Sequence, residues 1–82
     1  MIKLSAAAGR EEEYSKWRRV KEIIMDNLTD EMKTNWQNKG YEGLFKLVPK
    51  HFGMTRMYRK PTSHVTFEFT EEQWTMFLLR WM

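Results

Sequence analysis

The last eighteen residues of the chain, Val65 to Met82, constrain the fold more than any other stretch. In their first part, apolar Val65, Phe67 and Phe69 alternate with polar side chains. A period of two is typical of a β-strand with one buried face. The sequence therefore predicts a strand that lays one face on the core.

Directly after this strand, the pattern changes to that of a helix. Four apolar residues recur at the spacing i, i+3, i+4 and i+7, which places them on one side of a helix. They are Trp74, Phe77, Leu78 and Trp81. Thr70 stands where an N-cap is expected and Gln73 follows three residues later, the arrangement of a capping box. A strand that leads into a capped, aromatic-rich helix is the densest hydrophobic signal in the chain, so the other elements are expected to pack against it.

Helical signals also mark the N-terminal half. A first helix is predicted over Arg10–Leu28, with acidic residues in its first turn and an apolar stripe made of Trp17, Val20, Ile24 and Leu28. A second is expected to begin after the N-cap candidate Thr29 and to stop at Gly40. A third helical piece is expected over Tyr41–Val48, with Pro49 ending it or beginning another short turn.

The stretch Met54–Lys60 is predicted to form a hairpin with Val65–Phe69 across a turn at residues 61–64, with one more helical turn as the alternative. We therefore predict a single small domain, residues 1–82, of the α+β class and mainly helical. It has three to four helices and a small β-hairpin before a C-terminal helix. Residues 1–9 are expected to be a flexible or extended arm, in which Met1–Leu4 is frayed or forms a short strand. The residues expected to be largely buried are Trp17, Ile24, Phe67, Phe69, Trp74, Phe77, Leu78 and Trp81.

Positive charge is concentrated in the middle of the chain. The net charge is +3, but residues 31–60 carry seven Lys or Arg against two acidic residues. Such a region favours an acidic partner. One hypothesis is therefore a small winged-helix or helix-turn-helix-like DNA-binding protein that uses residues 46–60. Pro49 and Pro61 count against the helix-turn-helix form because each falls inside a helix that it needs. The winged form avoids part of this objection, with Tyr41–Val48 as the recognition helix and the hairpin as the wing. The basic patch candidates are Lys46, Lys50, Arg56, Arg59 and Lys60.

Catalytic and metal-binding patterns are not found in the sequence. There is no cysteine, so neither a thiol nucleophile nor a disulfide is available. The three serines lie outside any nucleophile-elbow context, and the two histidines have no carboxylate at metal-ligand spacing. We expect a protein that is not an enzyme, without cofactor or metal. The longest apolar run, Met76–Leu79, is far shorter than the roughly 20 residues of a membrane span, so we expect a cytoplasmic protein without direct membrane insertion.

The C-terminal helix carries more apolar surface than one core contact uses. Outside its predicted buried stripe lie further apolar residues, and such a surface is typical of an interface. The candidates for partner binding are Met76, Leu79, Arg80 and Met82. A second hypothesis is therefore a regulator that binds another protein, with a homodimer as one form of association.

Taken whole, the chain resembles a known family. Its opening MIKLSAAAGREEEYSKWRRVKEII and its ending FEFTEEQWTMFLLRWM are similar to the RIII family of small lysis-inhibition accessory proteins of T-even bacteriophages. The likeness extends over the full chain and rests on no discrete motif. It implies a cytoplasmic antiholin, a viral protein that delays lysis of the host cell by binding the cytoplasmic segment of the phage holin. We expect this function first and DNA binding as the alternative.

Overall fold

The computed structural model describes residues 1–6, 11–59 and 65–82. The described part is mainly helical, with a small antiparallel sheet, which confirms the predicted fold class. In chain order the elements are β1 (Ile2–Ser5), α1 (Glu11–Asp26), α2 (Asp30–Lys39), a 3₁₀ helix (Gly40–Leu44), α3 (Leu47–Phe52), β2 (Arg56–Arg59), β3 (Val65–Phe69) and α4 (Glu71–Trp81).

The sheet is three-stranded, with β3 in the centre and β1 and β2 on either side. Both outer strands run antiparallel to β3, so the predicted pairing of β2 with β3 is confirmed. Its turn, and residues 7–9 of the N-terminal arm, lie outside the described residues. Of the two alternatives for Met1–Leu4, the short strand is found, since Ile2–Ser5 pairs with β3 over its whole length.

The helices cover one face of this sheet. In the middle of that face, Phe67 of β3 has Leu4 of β1 and Met57 of β2 as its cross-strand neighbours, and all three are buried. The molecule measures 32 × 31 × 19 Å. Since packed layers lie about 10 Å apart, this thickness suits one layer of helices on one sheet. A helix in such a layer has a side that faces away from the sheet.

β3 departs from the one-sided strand that its alternation predicts. All five of its residues are buried, including Thr66 and Glu68 on the face opposite the helices. The expectation of a single buried face is wrong because side chains of both neighbouring strands close over the centre of the sheet. A period of two reports polarity on each face and does not tell whether a strand is central.

α1 buries three of the four residues of its predicted apolar stripe, and the fourth, Leu28, is half-buried beyond the end of the helix. Trp17, Val20 and Ile24 are buried, and Ile23, which lies beside this stripe, is buried as well. The indole Nε1–H of Trp17 donates a hydrogen bond of 2.7 Å to the carbonyl oxygen of Val65. This bond satisfies a buried polar group and fixes α1 against the central strand.

Residues 29–53 form the connection between α1 and β2. Thr29 caps α2 by accepting a hydrogen bond from the backbone N–H of Met32 at 3.2 Å, as predicted. Gly40 ends α2 with φ 66°, a conformation that favours glycine. Gly43 lies so close to α2 that an added Cβ would clash with the carbonyl oxygen of Asn35, so a side chain there would separate the two elements.

The helical piece expected over Tyr41–Val48 is wrong in its bounds. A 3₁₀ helix ends at Leu44 and α3 begins at Leu47, with Pro49 in the first turn of α3. Proline is tolerated there because the N–H groups of a first turn have no partner within the helix. After α3 the chain turns at Gly53 (φ 74°) and enters β2. The helix-turn-helix form proposed for residues 46–60 is therefore wrong, because the strand β2 stands where its recognition helix is needed.

Candidate protein-interaction surface

α4 begins at the capping box that the sequence predicts. The backbone N–H of Gln73 donates to the hydroxyl oxygen of Thr70 at 3.0 Å, and the backbone N–H of Thr70 donates to Oε1 of Gln73 at 2.9 Å. The hydroxyl of Thr55 donates to the same Oε1 at 2.6 Å. These bonds tie the first turn of α4 to the segment before β2, so the direction in which α4 leaves the sheet is fixed.

The inner side of α4 consists of three aromatic residues. Phe77 is 1% exposed, and its ring centroid lies 5.2 Å from that of Phe69. Trp74 and Trp81 are half-buried on either side, Trp74 against Phe69 at 5.1 Å and Trp81 against Phe52 at 5.0 Å. Five of the eight residues predicted to be buried are buried, and two of the others are these half-buried tryptophans. The five are Trp17, Ile24, Phe67, Phe69 and Phe77.

The predicted burial of Leu78 is wrong. Its side chain is 38% exposed. The four residues of the predicted stripe cover an arc of roughly 100° around the helix, with Phe77 at one edge and Leu78 at the other. α4 turns the Phe77 side of this arc toward the sheet, so Leu78 is left at the edge of the contact.

The outer side of α4 is apolar and exposed. The exposed fraction is 78% for Leu79, 59% for Met76 and 49% for Met82. Leu79 lies about 160° around the helix from Phe77, so one core cannot cover both residues. Together with Leu78 these residues form a surface that we call the α4 ridge (Met76, Leu78, Leu79 and Met82).

A groove lies next to the ridge, at the C-terminal end of α4. Its volume is about 580 Å³. Arg80, the fourth partner-binding candidate, lines this groove, so the ridge and the groove share one helix turn. We call it the basic groove, and its lining residues are Thr29, Glu31, Met32, Leu47, Lys50, His51 and Arg80.

A second, smaller depression of about 380 Å³ continues on the other side of Leu47, which lines both. Its remaining lining residues are Asn35, Lys39, Glu42, Gly43, Phe45 and Lys46. The two depressions meet at Leu47, and Arg80 connects the first of them to α4, so this surface spans α2, the 3₁₀ helix, α3 and α4. Sequence periodicity could not identify this surface, because its residues come from four elements.

The basic patch candidates are distributed over several parts of the surface. Lys46 and Lys50 line the two depressions just described. Arg56 is on the face of the sheet away from the helices, whereas Arg59, three residues along the same strand, lines a small pocket with Trp17 and Lys21. Lys60 is outside the described residues. Strand alternation puts Arg56 and Arg59 on opposite faces, so the structure does not join them into one patch.

The face of the sheet away from the helices carries a charged network. Glu68 is 4% exposed although it lies on this face. Its cross-strand neighbours are Lys3 and Arg56, and the Nε of Arg56 lies 3.1 Å from Oε2 of Glu68. The guanidinium carbon of Arg56 also lies 4.2 Å from the ring centroid of Tyr58. Arg56 thus has two partners within the sheet.

This network shifts the ionisation of its members. Burial by itself would raise the pKa of Glu68, but hydrogen bonds from Tyr58 and Arg56 and the positive charges of Arg56 and Lys3 hold it below its usual value. The hydrogen bond to Glu68 raises the pKa of Tyr58, and the same carboxylate raises the pKa of Arg56. Sequence reasoning missed this network because it depends on the register of three strands.

Among residues 1–6, 11–59 and 65–82, no group of three or more His, Asp or Glu side chains is arranged to hold a metal ion. None of the helices in this same part of the chain is long and apolar enough to cross a membrane. Comparison of the chain with models of known protein families, with curated proteins and with solved structures found no match.

Proposed function

We propose that the chain is a non-enzymatic regulator that binds a protein partner through the α4 ridge. The observation that carries this proposal is the distribution of exposed apolar side chains. Six large apolar residues of the described part are exposed, and four of them belong to the ridge. Single exposed apolar residues are normal on a protein surface, whereas a contiguous group marks a binding site.

The size of the ridge limits the kind of partner. α4 has eleven residues and therefore spans roughly 16 Å. A stable interface buries on the order of 800 Å² on each partner, which is more than two copies of so short a helix supply. A partner that also occupies the neighbouring depressions reaches that area more easily than a homodimer built on α4 alone. A homodimer is the alternative occupant of the ridge.

The resemblance to the T-even lysis-inhibition proteins supports a specific partner. On that basis the partner is the cytoplasmic segment of a phage holin, the place of binding is the host cytoplasm, and the consequence is delayed lysis. The chain itself does not insert into the membrane in this proposal. It holds a segment of a membrane protein at the ridge.

The test is direct binding to a fluorescently labelled synthetic peptide that corresponds to the cytoplasmic segment of a T-even holin, followed by fluorescence anisotropy. We expect saturable binding that Leu79→Glu weakens by at least about tenfold, since a charge on the ridge would be buried unpaired. Ser15→Glu is the matched control because it adds the same charge at an exposed position of α1. It should bind like the unmodified chain.

Sedimentation velocity over a wide concentration range distinguishes the alternative occupant. A dimer that Leu79→Glu dissociates, with no peptide binding, would assign the ridge to self-association. A strict monomer that fails to bind the peptide, or binds it equally well with Leu79→Glu, would contradict the proposal. Salt-sensitive binding of a DNA duplex in place of the peptide would favour the nucleic-acid alternative.

A further inference from the structure

The basic groove combines an apolar floor with an excess of cations. Met32, 3% exposed, and the half-buried Leu47 form the floor. Lys50 and Arg80 carry full positive charges at the rim, against the single carboxylate of Glu31. The adjoining depression repeats this composition, with Lys39 and Lys46 against Glu42 and with the half-buried Phe45 as its apolar side chain.

These cations have no ionic partner within the part of the chain that the structure describes. The two ion pairs found there, Arg18–Glu22 and Arg56–Glu68, lie on α1 and on the far face of the sheet. Four unpaired cations around the basic groove and the adjoining depression produce a positive potential that the two carboxylates only partly offset. A potential of this kind selects a partner of opposite sign. The four are Lys39, Lys46, Lys50 and Arg80.

We propose that the basic groove and the depression beside it bind an acidic amphipathic segment of the partner, whose apolar side chains cover the α4 ridge and Leu47 and whose carboxylates meet the lysine and arginine side chains. This inference rests on the proposed function, because it gives the chemistry of the segment that the ridge binds. Arg80 has the central role, since it belongs both to α4 and to the groove. Its guanidinium carbon lies 5.4 Å from the Trp81 ring centroid, which holds the side chain over the surface.

A protein segment suits this surface better than nucleic acid. A phosphate backbone would lie beside Glu31 and Glu42, which repel it, and would leave the apolar floor and the α4 ridge without a partner. A helical or extended peptide offers carboxylates and apolar side chains together, the mode in which amphipathic segments occupy apolar grooves. Competition by a DNA duplex is therefore an outcome that would count against the inference.

The probe is a pair of designed peptides of about 18 residues, or five helical turns. One carries leucines along one side and glutamates along both edges, and its twin has every glutamate replaced by glutamine. We expect the glutamate peptide to bind about tenfold more tightly, because several exposed ion pairs each contribute a modest factor. Raising the salt concentration to about 0.5 M should remove most of that difference, because it shortens the range of electrostatic attraction.

Charge-neutralising variants locate the contact. The double variant Lys50→Gln with Arg80→Gln should reduce the preference for the glutamate peptide to about twofold or less. Lys16→Gln on the exposed side of α1 is the matched control and should leave the preference unchanged. Thermal unfolding of each variant shows that the fold is retained.

The outcomes separate this inference from the proposed function. Equal binding of both peptides, with Leu79→Glu still abolishing it, would overturn the acidic segment and leave the ridge as a binding site. If the holin segment bound and neither designed peptide did, the acidic segment would likewise be overturned and the ridge would remain a binding site. If the double variant kept the preference for the glutamate peptide, the carboxylates would bind elsewhere, and their assignment to the basic groove would be overturned. Displacement of the glutamate peptide by a DNA duplex would reassign the cations to phosphate.

Discussion

α1 and α4 pack against the same face of the sheet, but their outer sides differ. α1 buries four residues, and its exposed side is mostly charged, with an Arg18–Glu22 pair at 3.2 Å. α4 buries only Phe77 completely and exposes the four apolar residues of the ridge. The inner side of each helix contributes buried side chains to the core. The outer side does not contribute to the core, and of these two helices only α4 has an apolar outer side, which makes it the candidate interaction surface.

The largest expected effect tests the inner sides, where the two helices should behave alike. Phe77→Ala should lower the free energy of unfolding by roughly 3–5 kcal/mol, and Ile24→Ala by roughly 2–5 kcal/mol, because each removes a side chain that is at most 1% exposed. Urea denaturation followed by far-UV circular dichroism measures both. If Phe77→Ala cost less than about 1 kcal/mol, α4 would be loosely attached, and the comparison of the two helices would fail.

A smaller effect is expected at the start of α4. Thr70→Ala removes the side-chain half of the capping box and should cost about 1 kcal/mol, since one backbone N–H loses its acceptor. The same denaturation experiment measures it. Thr70→Ser keeps the hydroxyl and should be close to neutral. Equal losses for both variants would mean that the cap is not the source of the effect.

A third test concerns the sheet on which both helices pack, and it changes a residue of β3, Glu68, and no residue of either helix. The pKa of Glu68 is lower in the folded state than the ordinary 4.5. Its ionised form therefore stabilises the fold fully above that value, and this contribution is lost as the pH falls through the folded pKa. We expect Glu68→Gln to be less stable at neutral pH and to show a flatter loss of stability below about pH 5. Identical pH dependence of the two proteins would contradict the network.

The smallest stability effect is expected on the outer sides. Leu79→Ala on α4 and Glu22→Ala on α1 should each change the free energy of unfolding by no more than about 0.5 kcal/mol. They should differ in partner binding, which only Leu79→Ala should weaken. Thermal unfolding and peptide titration of the same samples make the comparison. A large stability loss for Leu79→Ala would show that the ridge is part of the core.

Local chemistry made much of the fold predictable. Helix boundaries depend on interactions within a few residues, as at the N-caps Thr29 and Thr70 and at Gly40. The buried face of α1 likewise follows from the spacing of its apolar residues. Hairpin pairing was also predictable, because the two strands alternate and are separated by a proline-containing stretch.

Other features depend on contacts between distant parts of the chain. β1 is short, and only its pairing with β3 makes it a strand of the sheet. Leu78 and Phe77 are both apolar neighbours in α4, and the packing of the helix on the sheet decides which one is buried. Of the candidate site, the sequence indicated Met76, Leu79, Arg80 and Met82, but it placed Leu78 in the core. It did not indicate the groove, since Met32, Leu47 and Lys50 meet Arg80 only through the arrangement of α2, α3 and α4.

The position of β3 in the sheet has a consequence for synthesis on the ribosome. β1 and β2 both precede their common partner, and Ser5 pairs with Thr66. While the chain is being made from its N-terminus, the helices that precede β3, α1 among them, emerge before the central strand. Nascent α1 therefore exposes its apolar stripe until residues 65–69 leave the exit tunnel. Since exposed apolar stripes of unfinished chains are where chaperones bind and aggregation begins, the dense charge on the other side of α1 would help to keep the growing chain in solution during that interval.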